Sequence, residues 1–228
     1  MRIKNLIIGE MRFLVKYGIV PLYGVFTALY LCILAALPIT ARETAAIILV
    51  YTDPAAMGLF FMGAVVLFEK SQRVESSLAV SPVKIGEYIF AKVVPLMVIG
   101  IIVGVLLCIF AGISNIVFIL LGVGLGSVLF SLCGLFVASK VDTLNGFIVA
   151  VVPFEIFLCV PAILFIFGIL KSQLWILHPG VAAIQLIMGQ SNVWIGDVLV
   201  LLVWIVLAFM MCRSAVTKSF RTMGGAKI

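Results

Sequence analysis

Charge is scarce in this chain. Only 11% of its 228 residues are charged, nine are acidic and one is histidine, whereas a soluble domain carries about 25% charged residues. The hydrophobic share is 65% and the mean hydropathy +1.38. Too little polar surface exists to cover a globule in water, so the outer solvent must be lipid. Sustained alternation of polar and apolar residues is also missing, which excludes a transmembrane barrel and leaves helices. The five cysteines (Cys32, Cys108, Cys133, Cys159 and Cys212) form no C-x-x-C pair and all sit in or beside apolar runs. Small-residue packing is therefore expected, with neither a disulfide framework nor a zinc site. There is no G-x-x-x-x-G-K-[ST], no G-x-S-x-G and no metal-ligand cluster, so no catalytic residue, metal or cofactor is assigned to the chain. No A-x-A-like site follows the first apolar run, so no cleavable signal peptide is expected.

What the chain does have is six apolar runs long enough to cross a bilayer. They are Tyr17–Leu37, Ile47–Phe68, Ile89–Phe110, Ile116–Ala138, Phe147–Leu170 and Val193–Cys212. Runs of about twenty residues match a ~30 Å hydrocarbon core at 1.5 Å per residue. The expected fold is all-α and polytopic, a single transmembrane domain over 1–228 with no linker or second domain.

The basic residues set the orientation. Arg2, Lys4, Arg12 and Lys16 precede the first run; Lys70, Arg73, Lys84 and Lys92 lie in or beside the connection after the second. Lys140 follows the fourth run, and Arg213, Lys218, Arg221 and Lys227 follow the last, which makes thirteen of the fifteen basic residues. Only Arg42 and Lys171 fall in the alternate connections. The positive-inside rule places both termini in the cytoplasm of a multi-pass protein of the plasma membrane. Nothing forms a compact basic face of the kind that binds nucleic acid.

Three segments between the runs carry information. Residues 1–16 suggest an interfacial helix, with Ile3, Leu6, Ile7, Met11 and Leu14 on one face and Asn5, Arg12 and Lys16 on the other. Glu10 interrupts the apolar face, which reads either as a small rotation of the helix at the headgroups or as a contact to a partner. Residues 171–192 are external yet mostly apolar, too short to cross twice, and suggest a re-entrant segment that dips into the outer leaflet. Within it, His178-Pro179-Gly180 reads as a turn rather than as a ligand. Residues 69–88 form a charged, helix-compatible internal loop stopped at Ser81-Pro82, because proline disfavours helix at the residue before it.

That loop runs Glu69-Lys70-Ser71-Gln72-Arg73-Val74-Glu75-Ser76-Ser77-Leu78-Ala79-Val80-Ser81-Pro82-Val83 and leads through Glu87, Tyr88 and Lys92 into the third run. Leu78, Val80, Ser81, Pro82, Val83, Glu87, Tyr88 and Lys92 resemble, in order and spacing, the permease subunits of type-2 ABC exporters. The stretch from Asp53-Pro54-Ala55 through Ser81-Pro82 is similar to the subgroup labelled fluoroquinolone export permeases. One departure is Arg73-Val74, where the family often has Gly-Thr, which affects fine contacts of the loop. The resemblance implies a cytoplasmic coupling helix that docks on an ATP-binding cassette subunit through Glu69, Lys70, Arg73, Glu75, Leu78, Ser81 and Pro82. It further implies that ATP and Mg belong to that partner, and that a second permease copy completes a homodimer in membrane lipid. The implied cargo is a hydrophobic or amphipathic compound such as a drug, peptide or lipid.

Asp53 and Glu155 stand out as acids inside apolar runs, where ionisable groups are costly and candidates for a substrate pathway. Asp53-Pro54 also fits an N-cap followed by proline at the first helical position, a local remedy for an interrupted second span. Glu155 lies between Pro153 and Pro161, which should bend or loosen the fifth span. It is either a protonated, hydrogen-bonded bundle residue or the lining of a wet cavity that attracts cations. Gly122, Gly124, Gly126, Ser127, Ser131 and Gly134 of the fourth span suggest close helix packing. Two other readings stand beside the exporter: a six-helix substrate-binding subunit of a vitamin importer, which needs no charged coupling loop, and a proton-coupled carrier using Glu155.

Overall fold

In the computed structural model, residues 2–72, 83–170, 172–189 and 193–223 are described. Their regular secondary structure is all helical, with no strand among them. Helix α1 (Arg2–Lys16) precedes six helices long and apolar enough to cross a membrane. The first span is α2 (Ile19–Ala36). The second comprises α3 (Ile39–Val50), a π-helical turn (Tyr51–Ala55) and α4 (Met57–Ser71). Then follow α5 (Ile85–Phe110), α6 (Ile116–Ala138), α7 (Leu144–Ile166) and, after the short α8 (Pro179–Ile187), α9 (Trp194–Met223).

The fourth span, α6, is the hub, packing on α4, α5, α8 and α9. Its small residues permit this. A Cβ on Gly134 would stand 2.5 Å from the carbonyl oxygen of Leu59, so α4 and α6 touch backbone to backbone. At its other end Gly122 faces Ala183 and Ile187 of α8. Over half of the apolar stretch of the second and fourth spans is enclosed by the chain itself, against 11% for the first and 17% for the sixth. The outer spans therefore turn apolar side chains such as Val25, Leu29, Val203 and Met210 away from the bundle.

Span ends match expectation best where turn residues punctuate both sides, as for Ile116–Ala138. Elsewhere local chemistry extends the helices. The second span begins at Ile39, and Arg42 in this extension donates to the carbonyls of Ala35 (3.4 Å) and Leu37 (3.2 Å) at the end of the first span. The third begins at Ile85 because the Glu87 carboxylate accepts from the Lys84 N–H at 3.0 Å, satisfying a donor that a helix start leaves open. The sixth runs past Cys212 because Cys212, Ala215, Val216 and Ser219 continue one buried stripe at helical spacing. The fifth span is one unbroken helix through both Pro153 and Pro161, so the prolines do not divide it.

The apolar segment between the fifth and sixth spans finds its cover in protein. After a 3-10 turn (Gln173–Leu177), every residue of α8 is buried, packed on the fourth and sixth spans. The indole of Trp204 on the sixth span donates to the Leu177 carbonyl at 3.1 Å.

Candidate functional site

Three polar constellations interrupt the apolar bundle, each joining elements far apart in sequence. The first lies where α1 meets the loop-proximal ends of the second and third spans. Lys92 Nζ lies 2.7 Å from Glu69 Oε1 and 2.9 Å from Glu10 Oε1, with the Lys92 side chain only 1% exposed. The ring of Tyr88, one turn earlier, has the ammonium 5.2 Å from its centroid. Glu10 interrupts the apolar face of α1 because that face packs on α5, where the carboxylate meets a buried cation. Its contact is thus inside the chain, and neither helix rotation nor an outside partner is needed to explain it.

The same constellation bears on the expected docking residues. Glu69 is buried and its carboxylate is committed to Lys92. Lys70 turns toward the fourth span, donating to the carbonyls of Ala138 (3.0 Å) and Val141 (2.9 Å) and lying 3.4 Å from Asp142. An ammonium there completes the carbonyls of a helix C-terminus and opposes its negative dipole end. Both residues anchor the root of the loop rather than presenting charge at its surface. Arg73, Glu75, Leu78, Ser81 and Pro82 lie outside the described residues.

The second constellation is centred on Asp53. The second span is interrupted at Asp53-Pro54, but by a π turn rather than by a capped restart. Helix α4 has Ala56 at its N-cap and no side-chain cap, so the N-cap reading of Asp53 is corrected. Its carboxylate instead accepts from the Tyr23 hydroxyl of the first span at 2.9 Å. Tyr23 is buried, Asp53 half-buried. Phe61 stands edge-on to Tyr23 at 5.7 Å between centroids, and Phe26 stacks on Tyr30 at 6.3 Å. No ion pair to Asp53 occurs among the described residues.

The third constellation joins the π turn, the fifth span and α8. Tyr51 donates to the Leu158 carbonyl at 2.9 Å, fully buried. Gly180 packs against both groups, so closely that a Cβ would overlap the Leu158 oxygen. His178 caps α8 with Nδ1 accepting from the Gly180 N–H at 3.2 Å and Pro179 in the first turn. Its ring lies against Phe157 (4.8 Å between centroids). Burial pushes the imidazole below its ordinary value, a backbone group of Phe157 acting in the opposite sense.

Glu155 lies half-buried one turn before Cys159, on the helix face shared by Val151, Leu158 and Ala162. No hydrogen bond or ion pair to its carboxylate occurs among the described residues. It does not line the nearby apolar cavity of about 250 Å³, which opens among the fourth, fifth and sixth spans beside Cys133, Phe136, Phe154 and Trp204. The structure therefore does not bring Glu155 and Asp53 together in one site.

Sequence reasoning passed over a third acid. Asp197, in the first turn of α9, is fully buried, and neither carboxylate oxygen has a hydrogen-bond partner among the described residues. The signal was present, an acid near the start of the sixth apolar run. Among the described residues, no three histidine, cysteine or acidic side chains gather as a metal site.

Fold and constellations together define an all-α, multi-pass membrane protein with six candidate spans. No protein-family model matches the chain. Over 83 residues it is 34% identical to the fluoroquinolones export permease protein of Mycobacterium tuberculosis, in strain CDC 1551 / Oshkosh and equally in strain ATCC 25618 / H37Rv. The match covers 36% of this chain and 35% of each relative, so the chain spans about a third of the length of the curated relatives it matches.

Proposed function

We propose that the chain is the permease subunit of an ATP-driven ABC exporter that moves a hydrophobic or amphipathic compound, such as a drug of the fluoroquinolone kind, out of the cell. The observation that carries this reading is the 34% identity, over 83 residues, to proteins named as export permeases. Six spans with an apolar interior and few fixed polar groups suit such a cargo. ATP and Mg belong to a separate ATP-binding cassette subunit, and two permease copies enclose the pathway, with the termini and residues 69–88 on the cytoplasmic side of the plasma membrane. The buried Lys92–Glu69 and Lys70–Ala138 contacts support residues 73–82 as the coupling element, because they fix both roots of that loop to the bundle. A push on the loop is then delivered to the second, third and fourth spans together. Asp53 and Glu155 are assigned to the substrate pathway in this reading.

The test is affinity purification of the tagged, full-length chain from its native membrane, followed by ATPase assay with and without drug. An ATP-binding subunit should co-elute, and reversing both Arg73 and Glu75 should weaken its retention while the permease stays folded. Absence of any ATP-binding subunit sinks the exporter assignment. Full retention by the double reversal sinks the loop as the docking element.

A further inference from the structure

We propose that Asp53, Tyr23, Tyr30, Phe26 and Phe61 form a binding site for a lipophilic organic cation, reached from the inner leaflet between the first and second spans. The inference deepens the exporter reading and rests on it for orientation. Asp53 follows the outer end of its span, Ile39, by about 20 Å of helix, and Tyr23 follows the inner end of the first span, Ile19, by about 6 Å. The carboxylate therefore sits in the inner half of the bilayer, the side from which an exporter collects a compound dissolved in the membrane.

Three features point to a cation. A carboxylate at membrane depth calls for a positive partner or water, and the hydrogen-bond partner of Asp53 among the described residues is a neutral phenol, Tyr23. Its partner Tyr23 belongs to a connected group of four aromatic rings, edge-on to both Phe26 (6.5 Å) and Phe61 (5.7 Å), with Tyr30 stacked on Phe26. Ring faces attract ammonium and phosphonium groups while their apolar bodies accept the rest of the molecule. Finally, the group is open on one side: Phe26 is 38% exposed and Asp53 and Tyr30 are half-buried, so a ligand can arrive along the first span without unpacking the bundle. The Tyr23–Asp53 bond holds the carboxylate in place and leaves its second oxygen available.

The experiment measures binding of tetraphenylphosphonium, and of neutral triphenylphosphine oxide for comparison, to the full chain in lipid nanodiscs without nucleotide. Asp53→Asn keeps an acceptor for Tyr23 but removes the charge, and should weaken tetraphenylphosphonium about tenfold or more, the loss of one charge-assisted contact. Neutral-probe binding and melting temperature should stay near wild type. Tyr23→Phe keeps the carboxylate and the ring but releases the bond that positions the carboxylate, and should lower the melting temperature while weakening cation binding less than Asp53→Asn does. The inference is overturned if wild type does not prefer the cation, or if Asp53→Asn binds it as wild type does. It is equally overturned if Asp53→Asn and Tyr23→Phe lower stability alike and both probes fall together, which is the behaviour of a purely structural brace. Because no ATP-binding subunit takes part, these failures leave the exporter reading to its own co-purification test.

Discussion

Lys92 and Glu69, twenty-three positions apart, form an ion pair of 2.7 Å with both side chains closed off from solvent. Such a pair is weak evidence for stability in itself, since desolvation offsets much of the attraction, but removing one member leaves an uncompensated buried charge. Lys92→Met removes the buried cation that lies beside two carboxylates and is expected to cost about 3–5 kcal/mol. Glu10→Gln should cost less than Glu69→Gln, because the Glu10 side chain retains 18% exposure against 6% for Glu69. Equilibrium unfolding in mixed micelles reads the order directly. A Lys92→Met variant as stable as wild type would mean that the three side chains do not share charge as the geometry indicates.

Gly180 stands where α8, the fifth span and the π turn converge. Gly180→Ala is expected to destabilise by about 1–3 kcal/mol through overpacking, since the added carbon meets the Leu158 backbone oxygen as well as Tyr51 Oη at 2.7 Å. Tyr51→Phe removes the flexible obstacle but not the backbone one, so the double variant should not recover. Gly24→Ala is the control: nothing lies within 4 Å of a Cβ there, and helix propensity favours alanine. Recovery of Gly180→Ala by Tyr51→Phe would show that the phenol alone sets the clearance.

How much of this was legible beforehand follows from the range of the contacts. Helical runs and their order depend on twenty consecutive side chains, which is why Ile116–Ala138 is the same in sequence and structure. Glu10 was visible as an anomaly in an apolar stripe, yet its partner lies 82 positions away, and no local pattern names Lys92. At Asp53-Pro54 the interruption was legible because proline lacks an N–H. The form of the interruption was not, since it depends on Tyr23 and Leu158 supplying partners from other spans. Glu69 and Lys70 read as docking residues of an exposed loop because charge at a span end usually faces solvent. Here a second charge and a helix terminus meet them instead.

The buried imidazole at the head of α8 predicts a pH dependence with a definite sign. Its folded value is lowered by burial, so the unfolded chain takes up a proton first as pH falls. Stability associated with the neutral ring is full above the ordinary value of about 6.5 and is lost progressively below it, until the folded ring also protonates. His178→Asn retains a side-chain acceptor for the Gly180 N–H but does not titrate. Between about pH 7.5 and pH 5, the melting temperature of wild type should fall more steeply than that of the variant. Parallel slopes would assign the acid sensitivity to another group.

The π turn at Tyr51–Ala55 also makes chain length a constraint in its own right. Such a turn holds one residue more than an α turn, so the two halves of the second span stand out of rotational phase. Deleting one of these five residues would let the wide turn close into an α turn, so the loss is absorbed locally and Glu69 and Lys70 keep their partners. Deleting a residue from the regular helix between Met57 and Phe68 has no such reserve: it turns everything after it by about 100°, parts Glu69 from Lys92 and Lys70 from the end of the fourth span, and moves both roots of residues 73–82. A one-residue deletion in the π turn should therefore lower the melting temperature less than one in α4.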